Sequence, residues 1–474
     1  MAQHSPRWLP AVLAVVISGL AYYVSTGLGV VWPVAWIAPV PILVVAFKSS
    51  ARASALCGAA AFYLGSLNLF TYLSQVMPVA LVAATLLIPA AAFAGAVLAA
   101  RYAVRRLPPW AAAFVYAAAW TSYEFLLSLV SPHGTALSLA YSQTDFLLLL
   151  QLASVTGIWG ITFLAALAPA AIAVAWTKRA PSALAPALAI GIVVLGYGIL
   201  RLHQPEENQR ARVGLAATDR GIVAAFATKD PAGALAVTRA YADRVARLAA
   251  QGAQVVVLPE KFVGVTPADS PEILGVLRDA ARAARATVVA GLNRVAITPL
   301  RNVAVVFAPD GRLIAEYDKH HMLPGPETGY LIGRTRALFS APAAQWGVAV
   351  CKDMDFPAWA RGYARRGVRI LAVPAWDFVR DARLHSRMAV VRGVENGFAM
   401  ARAAQQGFLT CSDGYGRILA ETPSANPPDA LLVRDIAPGP GTTFYTRFGD
   451  WFGWAAVIGL AALLAAAFGR RPRS

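Results

Sequence analysis

Residues 255–260 read Val-Val-Val-Leu-Pro-Glu. Four apolar residues in a row, stopped by a proline, mark a short buried strand with a carboxylate delivered at its end. On the N-terminal side, residues 231–250 repeat alanine, leucine and arginine at helical spacing. On the C-terminal side a second helical pattern covers 271–286 and a strand covers 287–292. Farther out, the pattern predicts strands at 213–217, 347–350 and 370–374, helices at 356–366 and 383–402, and a hairpin of 302–308 with 312–317. The hairpin turns on Pro309-Asp310-Gly311, a strong turn sequence. Strands alternating with helices, plus hairpins, make an α/β domain of stacked layers, expected over residues 211–440.

The remainder of the chain is of a different kind. Of 474 residues 58% are hydrophobic and 14% charged, well under the ~25% charged of a soluble domain. Residues 1–205 hold nine Lys/Arg and two Asp/Glu, whereas 206–474 hold 33 and 23. A disordered chain is excluded, and the pattern is that of a membrane protein carrying one large aqueous domain. The net charge of +17 raises nucleic acid as a partner. However, the basic residues cluster beside apolar segments, and no RNP-type, zinc-finger or helix-turn-helix pattern is present, so no nucleic-acid partner is expected. Cys57, Cys351 and Cys411 are too few and too scattered for a disulfide framework.

About 20 apolar residues cross a bilayer, and seven stretches of that kind precede residue 205: 8–24, 30–47, 54–74, 78–100, 110–130, 158–176 and 183–200. An eighth, 451–468, follows the aqueous domain. The first resembles a signal peptide but reads as an uncleaved helix, because no small-x-small site ends it. Arg7, Lys48, Arg52, Arg101, Arg105, Arg106, Lys178, Arg179, Arg470, Arg471 and Arg473 fall on alternate ends of these stretches. The positive-inside rule then puts both termini in the cytoplasm and the aqueous domain outside. Glu124 stands well inside a span, either facing a substrate or pinning neighbouring helices.

Three polar residues follow apolar strand patterns: Glu260 after Val-Val-Val-Leu-Pro, Lys319 after Leu-Ile-Ala-Glu-Tyr-Asp, and Cys351 after Trp-Gly-Val-Ala-Val. A carboxylate, an amine and a thiol delivered to one edge of a sheet supply a base, an oxyanion partner and a nucleophile. Each alone has an ordinary reading, since a cysteine ending an apolar strand is commonly an inert core residue. Taken together with their flanks, Leu258-Pro259-Glu260, Tyr317-Asp318-Lys319 and Cys351 resemble the Glu-Lys-Cys pattern of the nitrilase superfamily. The whole chain resembles that superfamily's membrane-embedded branch, the apolipoprotein N-acyltransferase family. The likeness extends to 317–327 (YDKHHMLPGPE), 387–397 (RMAVVRGVENG), Asp413-Gly-Tyr-Gly-Arg417, 443–454 and 32–41.

The resemblance implies an α-β-β-α sandwich outside the bacterial inner membrane and a two-stage acyl transfer without metal or organic cofactor. Cys351 would take an acyl chain from a phospholipid as a thioester and pass it to the α-amine of a diacylglyceryl-cysteine at a lipoprotein N-terminus. Glu260 would be the base and Lys319 the oxyanion partner, with Glu327 and Asp353 in support. The chain departs from the family where Lys352-Asp353 stands for Tyr-Glu after the nucleophile, and where Gly325-Pro326-Glu327 ends the lysine loop in place of Phe-Gly-Glu. A lysine beside the thiol is expected to favour thiolate. These departures keep a membrane-anchored amidohydrolase, or an acyltransferase with another amine acceptor, as the alternative.

Other constellations are weaker. His320-His321 invites a metal reading, but adjacent side chains point apart and no H-E-x-x-H or C-x-x-C accompanies them, so exposed loop histidines are expected. Cys411 and Cys57 lack partners of this kind and read as packing residues. No G-x-S-x-G elbow is present.

Overall fold

The structure, a computed structural model, describes residues 8–205, 207–218, 230–425 and 429–471; Arg7 and Arg473, counted above for orientation, lie outside them. The chain forms two compact units. One comprises Met1–Ser131, Thr135–Leu202 and Phe448–Ser474, the other His203–Arg447 together with Pro132–Gly134.

The first unit is helical. Among the described residues six of its helices are long and apolar enough to cross a membrane: Ala51–Leu73, Val79–Val104, Pro109–Val130, Ile158–Lys178, Pro181–Leu202 and Trp451–Phe468. Leu9–Ser25 and Trp32–Lys48 are shorter apolar segments. In the second, Trp32–Trp36 is a 3-10 turn and Val40–Lys48 the α-helix. Pro33, Pro39 and Pro41 explain the break, since each removes a backbone donor and fixes φ. Glu124 sits in the helix Pro109–Val130 and accepts hydrogen bonds from Ser138 Oγ (2.6 Å), the Leu139 N–H (2.8 Å) and Thr162 Oγ1 (2.9 Å). Both its oxygens are engaged within the helical unit, the second of the two roles expected for it.

The second unit is built on two sheets. The first runs β13-β1-β2-β4-β5-β6, with β3 against β4. Its strands are β1 (Ala211–Ala217), β2 (Val255–Val257), β3 (Val263–Val265), β4 (Thr287–Arg294), β5 (Arg301–Phe307), β6 (Leu313–Asp318) and β13 (Ala430–Ile436). The second runs β12-β11-β10-β9-β8-β7, from β7 (Ala337–Ala341), β8 (Ala344–Val348), β9 (Ile370–Trp376), β10 (Ala399–Gln405), β11 (Phe408–Ser412) and β12 (Ile418–Pro423). Parallel pairs β1-β2-β4 and β8-β9-β10 form the middle of each sheet, and antiparallel pairs flank them.

Side-chain alternation sorts the residues into layers. Val255, Val257, Ala304 and Val306 face the second sheet, packing with Phe339, Trp346, Val348, Ala401 and Leu409. Val256, Val303 and Val305 face the opposite way, onto Tyr241, Val245 and Leu248 of the helix Pro231–Ala250 and Ile273 and Leu277 of the helix Ser270–Ala284. The period of two thus serves two cores, and for this reason β2 is apolar at every position. Helices Pro357–Ala364 and Ala382–Asn396 pack on the second sheet through Ala360, Tyr363, Ala389 and Val390. The order is helix, sheet, sheet, helix.

The sequence reading needs correction in one helix. The helical pattern expected to 402 ends at Asn396, where Gly397 takes a left-handed φ of 71° and caps it. The chain then continues as β10.

Candidate active site

Glu260 lies three residues beyond the end of β2, where the chain runs close against β4. The Gly291 N–H donates to the Pro259 carbonyl (3.2 Å), and a Cβ at Gly291 would collide with that oxygen. Gln405 Nε2 donates to the Glu260 carbonyl from the second sheet (2.8 Å). Lys319 follows β6 directly, its N–H donating to the Asn302 carbonyl on β5 (2.9 Å). Cys351 stands beyond β8 rather than ending it. It opens the 3-10 turn Cys351–Asp355 with a left-handed φ of 43°, a costly conformation for a residue with a side chain.

These segments meet in a buried cluster of charges. Lys319 Nζ donates to Glu260 Oε1 and to Glu327 Oε2, at 2.8 Å each. Asn302 Nδ2 donates to Glu260 Oε1 (2.6 Å) and Glu327 Oε1 (2.7 Å). Glu327 also accepts from Lys261 Nζ (2.7 Å) and the Leu323 N–H (2.8 Å). One oxygen of Glu260 is therefore held by an ammonium and an amide, while Oε2 carries no hydrogen bond among the described residues. Glu260, Lys319 and Glu327 are each 2% exposed.

The electrostatics follow from this packing. Burial pulls the Lys319 ammonium down, but Glu260 and Glu327 outweigh it and hold the group well above its usual range. Burial pushes the Glu327 carboxyl up, and Lys319 and Lys261 overcome it, so that Glu327 stays ionised far into acid. The Cys351 thiol is raised well above its ordinary value by burial and by Glu260, against the opposite pull of Lys319. It donates to the Trp376 carbonyl (3.4 Å). A thiol raised in this way becomes nucleophilic only when a base takes its proton.

Asn302, Lys261 and Gln405 were not signalled in the sequence. Asn302 is a polar residue inside an apolar strand, and Lys261 is a charge directly after a buried segment; both patterns commonly mean a solvated edge. Asp377, just past β9, takes a bidentate pair from the buried Arg402 (2.9 and 2.5 Å), which neutralises it behind the site. Cys411 is fully buried on β11, with burial pushing its thiol up to about 12. Cys57 lies half-buried in the helix Ala51–Ser66.

Residues 18–171 match the family model for the apolipoprotein N-acyltransferase N-terminal domain, and residues 220–429 the one for carbon-nitrogen hydrolase. The apolipoprotein N-acyltransferase of Geobacter metallireducens is 28% identical over 511 residues, covering 98% of this chain and 96% of that protein. The chain thus carries segments matching both family models, and the relatives it matches over most of its length are apolipoprotein N-acyltransferases. The apolipoprotein N-acyltransferase of Azotobacter vinelandii is 27% identical over 393 residues, 77% of this chain and 74% of that one. Human omega-amidase NIT2 is 27% identical over 157 residues, which are 29% of this chain and 56% of that protein. Among solved structures, an amidase from Nesterenkonia sp. aligns at a TM-score of 0.42 and 23% identity, covering 49% of this chain and 92% of its own. Apolar helices in the N-terminal half and an α/β nitrilase-like domain in the C-terminal half are the architecture of this chain.

The segment where this chain departs from the family pattern has its own anchoring. Asp353 Oδ2 accepts from Tyr317 Oη (2.6 Å) and the Val350 N–H (3.0 Å), and Oδ1 accepts from the His321 N–H (2.9 Å) and lies 3.0 Å from its Nδ1. Asp353 thus holds the turn that carries Cys351. Lys352 does not play the part expected of it. Its ammonium is 3.1 Å from Asp355 Oδ2 and 3.2 Å from His133 Nδ1, and the thiol beside it is raised. The 3-10 turn aims the two neighbours apart, and Asp355 neutralises the charge. The histidines also differ from the exposed pair expected: His320 stacks on Trp359 (3.7 Å between ring centroids) and His321 on Phe356 (3.6 Å). Among the described residues no group of three His, Cys, Asp or Glu is placed to hold a metal ion.

Asp355 also lies 3.6 Å from His385 Nδ1, whose Nε2 is 3.1 Å from Asp381. Burial pulls His385 down, but Asp381 and Asp355 overcome it and raise the imidazolium to about 10. A raised folded-state value means that the stability this group lends is complete below its ordinary 6.5 and is lost as pH climbs through about 10. His385→Asn is therefore expected to be less stable than the parent by roughly 2 kcal/mol at pH 6. Denaturant titrations should show that gap closing between pH 6.5 and 10; a gap constant with pH would remove His385 from the charged network.

Proposed function

We propose that this protein transfers an acyl chain from a phospholipid to the α-amine of a diacylglyceryl-cysteine at a lipoprotein N-terminus, through a thioester on Cys351. The observation that carries the reading is the Glu260–Lys319–Glu327 cluster whose charges bear on a neutral Cys351 thiol. As Sγ bonds to the ester carbonyl carbon, the open Oε2 of Glu260 accepts the thiol proton. The carbonyl electrons move to oxygen, where the Lys319 ammonium and the backbone N–H after Cys351 stabilise the oxyanion. When the tetrahedral adduct collapses, the C–O bond to the glycerol breaks and Glu260 returns the proton to the departing lysophospholipid oxygen. The acceptor amine next attacks the thioester and gives a proton to Glu260. The C–S bond breaks, and that proton returns to Sγ. Both half-reactions use one base and one cation, and a thioester is far more reactive toward amines than the ester it came from.

In this reading residues 1–205 and 451–468 are a membrane domain of eight spans with both termini cytoplasmic, and 211–440 a catalytic domain on the periplasmic face of the inner membrane. Both substrates are then lipids of that bilayer, which accounts for a hydrolase-like domain placed between apolar segments of one chain. Glu327 orients Lys319, and Asp353 positions the nucleophile's turn.

The test is intact-protein mass after incubation with phosphatidylethanolamine, followed by addition of a diacylglyceryl-cysteine peptide. One acyl-sized, hydroxylamine-labile increment, lysophospholipid release, and loss of the increment as N-acyl peptide forms are expected. No increment and no lysophospholipid, with free acid and ammonia released from simple amides, would overturn the transfer reading in favour of the amidohydrolase.

A further inference from the structure

Lys261 follows the carboxylate read above as the base, yet it is 6% exposed. Its backbone takes a left-handed φ of 46°. An L-residue adopts that conformation only where the surroundings impose it. The ammonium donates to Glu327 Oε1 (2.7 Å), opposite the oxygen that holds Lys319, and it lies 5.5 and 5.6 Å from the ring centroids of Tyr330 and Trp376. The Trp376 carbonyl in turn accepts from the Cys351 thiol. The second lysine is therefore built into the wall of the cluster.

Counting formal charges shows what it does. Glu260 and Glu327 carry two negative charges, and Lys319 and Lys261 two positive ones. The Asp377–Arg402 pair is neutral by itself. The four-residue cluster is thus balanced while Cys351 is a thiol. When the thiol proton moves to Glu260 the four residues carry a net +1, which balances the negative charge on the sulfur and then on the acyl oxygen. Without Lys261 a single ammonium would serve two buried carboxylates, and each anionic stage would carry an uncompensated negative charge in a low-dielectric site.

We propose that Lys261 is a positioning residue of this active site, which neutralises Glu327 so that the Lys319 charge is left for Glu260, the sulfur and the oxyanion. The proposal rests on the assignment of Cys351, Glu260 and Lys319 made above. The residue acts through Glu327 and not on substrate, so its loss should appear in the ionisation of Cys351 even with no lipid present.

The experiment measures the rate of Cys351 alkylation by iodoacetamide against pH in the full-length protein, with Cys351→Ala subtracting any labelling of Cys57 and Cys411. Lys261→Met should raise the pH midpoint by about one unit, so that alkylation at pH 8 slows about tenfold. Lys261→Arg, which keeps the charge, should restore most of it. In a Glu327→Gln background, where no carboxylate remains to neutralise, Lys261→Met should change the midpoint little. If Lys261→Met does not fold, Lys261→Gln keeps a hydrogen bond to Glu327 without the charge and gives the same readout. A midpoint unmoved in a folded charge-free variant would overturn the proposal, as would Lys261→Arg behaving like Lys261→Met. A parent enzyme that alkylates with this pattern but takes no acyl group from lipid would instead overturn the substrate reading and leave Lys261 in place.

Discussion

Glu260→Gln is expected to slow acylation of Cys351 by about a thousandfold, the middle of the range for loss of a general base. The substitution is nearly isosteric. The side-chain oxygen can still accept from Lys319 and Asn302, which hold Oε1 at 2.8 and 2.6 Å, so the loop should keep its place. Lost is the open oxygen to which the proposed mechanism sends the proton. The variant also makes a prediction of opposite sign. The negative charge of Glu260 is one reason the Cys351 thiol is raised, and removing it should lower the midpoint for alkylation by a small electrophile. More thiolate at a given pH with far less acyl-enzyme would identify Glu260 as the proton acceptor in the acylation step. A variant that acylates at the parent rate, read by intact mass after rapid mixing with phosphatidylethanolamine, would take Glu260 out of the mechanism.

How much of this was readable beforehand depends on whether a residue's role is local. Val255–Val257 announce a strand because burial on both faces demands apolar side chains throughout, and the following proline stops it. Glu260, Lys319 and Cys351 could be picked out because each follows such a run at an edge where α/β folds assemble their sites. Lys261 and Asn302 could not, since no pattern in the chain ties either of them to that edge; the pairing of β2 with β4 and of β4 with β5 brings them to it.

Lys352 shows the converse error. Nearness in sequence to Cys351 implied nearness of charge to sulfur, but a 3-10 turn separates successive side chains and Asp355 takes the ammonium. The strand β10 was hidden for another reason. Ala399–Gln405 has little strand propensity, and it is held extended because β9 and β11 pair with it on either side. In Trp32–Lys48 the prolines shorten the α-helix to Val40–Lys48, a break that a sliding hydropathy window averages away.

Lys319→Ala should be the second severe variant, and in a different way. Its ammonium bridges Glu260 and Glu327 at 2.8 Å on each side. Breaking a buried pair from one side costs about 3 kcal/mol or more, and with Lys261 still on Glu327 the lower end is expected. The chemical loss adds to this, since removing one preorganised oxyanion partner slows the step by about a hundred- to a thousandfold. Correcting acylation rates for the folded fraction separates the two effects. Lys319 also pulls the Cys351 thiol down, so its removal should raise the alkylation midpoint, where Glu260→Gln lowers it. Two variants that move thiolate supply in opposite directions and both lose acylation would show that thiolate supply does not limit the reaction. What limits it would then be the passage of one proton and one negative charge between fixed partners. Parent-like acylation in folded Lys319→Ala would reduce Lys319 to a counter-ion for two carboxylates, and the oxyanion would have to be held by backbone N–H groups alone.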